Sequence, residues 1–314
     1  MQEQIVAEKP ALIRLESRDS HMGAYVAFGA ICVIWGTTFA AIRVAIETIP
    51  TFLVSGVRFL IAGFLLLLVA KLSGARFPAN RREWRDQVIA GLLMAGAANT
   101  LVVYAEHALS SGLAALLAAT IPIWMAALEA ILGIASLTPK KIAGLGLGFG
   151  GVGLLVAPAI GRIDLSLQFV LAVGAMQLNA ICWNVGTLVA RRHRTSAAPM
   201  AAAVVQMLSG GTAMTLAAFA FGQHPTRDMF SIRSSTAVLY LAVLGSVVAY
   251  TAYNYAQTKL SAGKVSAYAY VNPAIAVLTG ALLLREPVTL RMMVSMAVIL
   301  SGVALIQIDR RRRG

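Results

Sequence analysis

Long apolar runs alternate with short polar breaks along this chain. A helix needs about 20 apolar residues to cross the hydrocarbon core of a bilayer. Ten runs approach or reach that length: 24–46, 51–72, 86–105, 111–134, 141–158, 166–189, 198–221, 235–258, 264–284 and 290–308. The pattern predicts an all-α integral membrane protein of ten transmembrane helices. The breaks are too short for a soluble domain, so any function is expected inside the bundle. Residues 1–22 are polar and mixed in charge, without the basic-then-apolar layout of a secretory signal. They are expected to form a flexible tail, and 309–314 a basic one.

The chain also repeats itself. Tyr104-Ala105, Leu109-Ser110, Gly112, Pro122, Thr138, Gly151-Val152 and Leu154 recur 151 residues later, without a gap. The second set is Tyr255-Ala256, Leu260-Ser261, Gly263, Pro273, Thr289, Gly302-Val303 and Leu305. Trp35 and Trp183, and Pro50 and Pro199, match at slightly different offsets. Two halves of five spans follow, at 24–158 and 166–308. Because five is odd, the second half enters the membrane from the opposite side. Such inverted repeats are the architecture of many secondary transporters; duplication for stability alone is the alternative.

Composition agrees and raises one question. The chain is 59% hydrophobic and 12% charged, with mean hydropathy +0.77, against roughly 25% charged in soluble domains. That excludes an ordinary soluble or disordered protein. A net charge of +13 would suit nucleic acid, but a basic soluble domain needs a polar surface to carry it. The charge is sorted instead. Lys9, Arg14, Arg18, Lys71, Arg76, Arg81, Arg82, Arg85, Lys140, Lys141, Arg191, Arg192, Arg194, Lys259, Lys264 and Arg310 to Arg313 all fall on one side of the ten spans. Arg162, Arg227, Arg233, Arg285 and Arg291 fall on the other. The positive-inside rule then puts both termini in the cytoplasm. No nucleic-acid partner is expected; the bilayer is the partner, with attraction to anionic head groups. Cys32 and Cys182 show no paired spacing, and no cofactor or metal is expected.

Several local motifs carry a resemblance. Ile34-Trp35-Gly36-Thr37-Thr38-Phe39, Pro50 and Gly56-Val57-Arg58-Phe59 resemble the first two spans of the EamA family of the drug/metabolite transporter superfamily. Ala105-Glu106-His107, Ser111-Gly112-Leu113-Ala114-Ala115 and Pro122 resemble its third and fourth spans. Tyr268-Ala269-Tyr270-Val271-Asn272-Pro273 resembles the ninth, and Arg285-Glu286-Pro287 the acidic turn before the tenth. The set is most similar to the YedA-like inner-membrane transporters of bacteria. The resemblance implies two EamA repeats and export of small metabolites such as amino acids, or of drugs. The first repeat departs from the pattern, with Ala135-Ser136 where Glu286-Pro287 would match.

Candidate chemistry lies within the spans. Pro122 and Pro273 fall mid-span at matching positions, each removing a backbone donor, and read as hinges or as ordinary kinks. Arg58 lies roughly 10 Å from the outer end of its span at 1.5 Å per residue. There it is expected either to bind a substrate carboxylate or to pair with Glu106 or Glu47. Arg43 is expected to snorkel. Glu106 and His107 are the candidates for proton coupling, against a solvated outer loop. Tyr250, Tyr253 and Asn254 share one face by helical spacing, as do Tyr268 and Asn272. With Trp35, Trp183 and Asn184 they supply the aromatic wall and placed polar groups that a pocket needs. Interhelical hydrogen bonding is the competing role. Tyr104 and Trp124 read as interface or packing residues. In span five, Gly144 with Gly148 and Gly146 with Gly150 form small-xxx-small pairs, for packing within the chain or for a homodimer.

The expected function is therefore a secondary exporter working by alternating access, not an enzyme. An intramembrane lipid or prenyl transferase needs acid/base pairs or metal ligands, and Glu129 is the only carboxylate deep in a span. A channel would need rings of charged or carbonyl groups.

Overall fold

The computed structural model describes residues 2–134, 136, 138–161, 166–192, 196–229, 231–260 and 268–311. Among them the chain is helical, with no strand. α1 (Gln2–Ala45) and α2 (Thr51–Leu72) come first. α3 (Arg81–Gly91) and α4 (Asn99–Ala105) are joined by a π-helical segment, Leu92–Ala98. α5 (Ser111–Ala118) and α6 (Ile121–Ile131) follow, then α7 (Pro139–Gly161), α8 (Leu167–Arg191) and α9 (Pro199–Ala220). α10 (Ile232–Ala242) and α11 (Ala249–Lys259) are joined by a second π-helical segment, Val243–Val248. α12 (Tyr268–Leu284) and α13 (Leu290–Arg311) complete the bundle.

Among the described residues, seven stretches are long and apolar enough to cross a membrane: Met22–Ala45, Thr51–Leu72, Arg81–Ala105, Ser111–Ile131, Leu167–Arg191, Pro199–Ala220 and Ile232–Tyr253. Val271–Leu284 and Leu290–Ile306 are shorter apolar helices. The run at 141–158 lies in α7. The segment read as a flexible tail continues α1, which begins at Gln2. Its Glu, Ala, Leu and Arg content favours helix once a following span supplies the nucleus.

The fourth run is not one helix. α5 ends at Ala118 and α6 starts at Ile121, with Pro122 in its first turn, where a missing N–H does no harm. Pro273 instead sits inside α12. The two π-helical segments begin 151 residues apart, the spacing of the sequence repeat. π-bulges are rare and concentrate at functional sites, so matched ones are a structural trace of the duplication.

Packing follows the same symmetry. α2 packs on α9, and α7 on α13, so equivalent helices of the two halves meet. α1 packs on α10, α11 and α12; reciprocally, α8 packs on α3, α4 and α6. Each of these contacts has a partner obtained by exchanging the halves, as a pseudo-two-fold requires. The α7–α13 crossing is close. A Cβ on Gly144 would lie 2.7 Å from the Gly302 carbonyl oxygen, and one on Gly302 would lie 2.7 Å from the Gly148 amide nitrogen; on the side of α6, a Cβ on Gly148 would lie 2.0 Å from Ile123. Gly146 and Gly150 face open space. The first small-residue pair therefore packs within the chain.

Candidate substrate cavity

A cavity of about 190 Å³ lies where the two halves meet. Its wall contains Trp35, Arg58, Trp183, Tyr250, Tyr268 and Asn272, together with both prolines, Pro122 and Pro273. The repeat explains why these residues converge. Met94 and Gly245, Ala95 and Ser246, Asn99 and Tyr250, Ile121 and Asn272, and Pro122 and Pro273 are pairs 151 apart, and all of them line the space. The cavity therefore sits between equivalent surfaces.

Arg58 is 6% exposed. Its Nε donates to Ser246 Oγ at 3.1 Å, and that hydroxyl donates to the Leu241 carbonyl at 3.0 Å. Its guanidinium lies 4.8 Å from the centre of the Phe59 ring. The ion pairs considered from sequence do not form. Glu47 pairs with Arg233 at 3.1 Å, and both carboxyl oxygens of Glu106 are buried without a hydrogen-bond partner. Arg43 does not reach out to solvent alone; its Nη1 donates to the Glu106 carbonyl.

The aromatic wall is interlocked. Trp35 Nε1 donates to the Gly245 carbonyl at 3.1 Å, and its ring packs edge-on to Tyr268 at 5.0 Å. Tyr253 packs on Trp35 and Tyr268 behind the wall. Asn272, with its amide nitrogen toward α1, donates to the carbonyls of Cys32 and Tyr268 at 3.1 Å each. Tyr250 OH donates to Gln206 Oε1 at 3.0 Å, and Gln206 Nε2 donates to Gln87 Oε1 at 2.7 Å.

Two candidates stand apart from the cavity. Asn184 is buried and donates to the Ile121 carbonyl at 2.8 Å, bracing the break between α5 and α6. Tyr253 packs on Trp35 and Tyr268 and is not part of the cavity wall. The side chain of Asn254 lies outside the described residues. Trp124 Nε1 donates to Gln177 at 2.9 Å, in keeping with a packing role. Gln206, Ser246, Asn99 and Asn179 line the cavity but were not singled out from sequence. Asn99 could have been, because it stands one repeat before Tyr250.

A second group lies at the ends of the spans. Glu286 Oε1 accepts from the Ser111 amide at 2.9 Å; Oε2 accepts from Ser111 Oγ at 2.8 Å and from the Gly112 amide at 3.3 Å. Burial and the Glu286 carboxylate hold Glu106 well above the usual carboxylate range, with Arg43 opposing. His107 is exposed and faces Thr51 at 3.0 Å. Partial burial and Arg43 lower its pKa. The two neighbours in sequence thus occupy different surroundings. Among the described residues there is no group of His, Cys, Asp and Glu that could hold a metal ion.

The sequence profile of the EamA-like transporter family matches twice, at residues 22–157 and 170–308. The inner membrane transporter YedA of Escherichia coli K12 is 31% identical over 90% of this chain and 89% of its own. The transporter YvbV of Bacillus subtilis is 23% identical over 88% of each. One solved crystal structure shares the fold, with a TM-score of 0.66 at 19% identity, over 93% of this chain and 99% of that one.

Proposed function

Since this chain belongs to the EamA-like transporter family and is a membrane transporter, we propose that it exports small metabolites, amino acids or drugs, by alternating access. The observation that carries this reading is the cavity wall built from repeat-equivalent residues of both halves. If the halves are inverted, exchanging their packings moves access to that space from one membrane face to the other. In this reading the ten spans place the segments flanking the bundle in the cytoplasm, and Pro122 and Pro273 hinge the helices beside the path.

Glu106 is the proposed proton site. A buried carboxyl without a partner favours its protonated form, and opening the outer end would solvate and ionise it. Proteoliposomes test the whole. Saturable efflux of a labelled amino acid or drug, accelerated by unlabelled cargo outside and by an opposing proton gradient, is expected. Flux without trans-acceleration would indicate a channel. No flux from a broad panel would overturn the proposal.

A further inference from the structure

The cavity has an unusual charge balance. Arg58 is its only lysine, arginine, aspartate, glutamate or histidine among the described residues. An arginine at membrane depth normally pairs with an acid or with carbonyls, yet here the guanidinium has a single hydrogen bond, from Nε. The two Nη groups have no partner among the described residues. They are the fork that binds a carboxylate in a bidentate manner.

The surroundings hold that fork in place. Ser246 fixes Nε, and Phe59 backs the guanidinium. Gly245 keeps the space open: a Cβ there would sit 2.9 Å from Thr38 and 3.5 Å from Arg58 Nη2. Trp35, Trp183 and Tyr268 also line the space. No carboxylate is available for an ammonium group, and the wall is mostly apolar.

Taking the cavity as the transport site proposed above, we infer that its cargo is an amphipathic organic anion, a carboxylate on an aromatic body, bound through the free edge of Arg58. A zwitterion must leave its ammonium without a counter-charge in an apolar wall, which costs affinity. A cation meets Arg58 itself. The charge order of binding is therefore anion, then zwitterion, then cation.

Three probes sharing one phenylethyl body test this: 3-phenylpropanoate, phenylalanine and phenethylamine. Binding to the purified full chain in detergent is measured by calorimetry or thermal shift. The unmodified protein is expected to bind 3-phenylpropanoate at least about tenfold more tightly than phenylalanine, with phenethylamine weakest. Arg58→Gln is expected to abolish the order; Ser246→Ala, which loosens the fork without removing charge, should narrow it. Leading affinity for the cation or zwitterion, or no binding of any probe, overturns the inference, whether or not Arg58→Gln folds. Binding without flux in proteoliposomes would overturn the transport reading and leave this inference standing. Flux of cations alone would do the reverse.

Discussion

Glu286 and Ser111, 175 residues apart, are joined by two hydrogen bonds of 2.9 and 2.8 Å. The carboxylate ends the turn after α12 and caps the start of α5, so it ties the second half to the first. Arg285, at φ 56°, turns the chain to aim it; a non-glycine residue rarely adopts that region. The repeat-equivalent positions are Ala135 and Ala262. Acid and serine are absent together there, which makes the latch one-sided.

Glu286→Gln keeps the shape but removes the charge from three hydrogen bonds and from the helix N-terminus. A loss of about 1–2 kcal/mol is expected, read as a lower Tm in detergent. Ser111→Ala, which leaves both backbone donors in place, should lower Tm less.

Gly280 tests the same latch from the side. A Cβ there would lie 2.4 Å from Glu286 Oε2 and 2.6 Å from Ser111 Oγ. Gly280→Ala should therefore destabilise, and its effect should be smaller on the Glu286→Gln background. Residues sharing one network are non-additive by about 0.5–3 kcal/mol. A double-mutant cycle in Tm measures this; full additivity would show that the contact is not shared.

The α7–α13 crossing predicts a contrast between glycines. Gly302→Val must push its side chain into the Gly144 carbonyl and the Gly148 backbone, at 2.6–3.1 Å from its first carbon. Overpacking of this kind costs about 1–3 kcal/mol. A Cβ on Gly150 meets nothing within 4 Å, so Gly150→Val should leave Tm unchanged. A fall in oligomer mass with Gly150→Val would reveal a seam between copies.

Glu106 predicts a pH dependence with a defined sign. Its pKa in the folded state is raised above the ordinary value of 4.5. The folded form binds the proton more tightly, so this group's contribution to stability is complete below pH 4.5 and is lost as pH rises toward the folded pKa. Glu106→Gln cannot ionise. The Tm difference between the variant and the unmodified chain should widen, in favour of the variant, from pH 4.5 to 8. A constant difference would show that the carboxyl is solvated.

Gln206 joins the cavity wall to α3. Gln206→Ala leaves Tyr250 OH and Gln87 Oε1 without these partners, at about 1–3 kcal/mol for a buried polar group. Gln206→Glu should behave differently, since it places an acid in the same cavity wall as Arg58 and should weaken anion binding before it weakens the fold.

Helix positions were readable because partitioning into a bilayer is local. Each apolar run favours the membrane on its own residues, and each basic break favours one face. The repeat was readable because both copies retain their glycines and prolines, and the same spacing located Pro122 and Pro273 on the cavity. What could not be read was which side of each helix meets which neighbour. Arg58 looked equally able to pair with Glu47 or Glu106. Its partner proved to be Ser246, 188 residues away, within a π-helical turn that no local pattern announces. Asn184 and Tyr253 share helices with cavity residues yet face elsewhere. Such assignments depend on rotation and crossing angle, which are set by close glycine contacts such as Gly144 with Gly302 and by packing summed over the bundle. The chain's linear pattern determined that it is helical, membrane-embedded and duplicated. Only the packing of one half against the other decided that a lone guanidinium would stand in an aromatic cavity without an acid to pair with it.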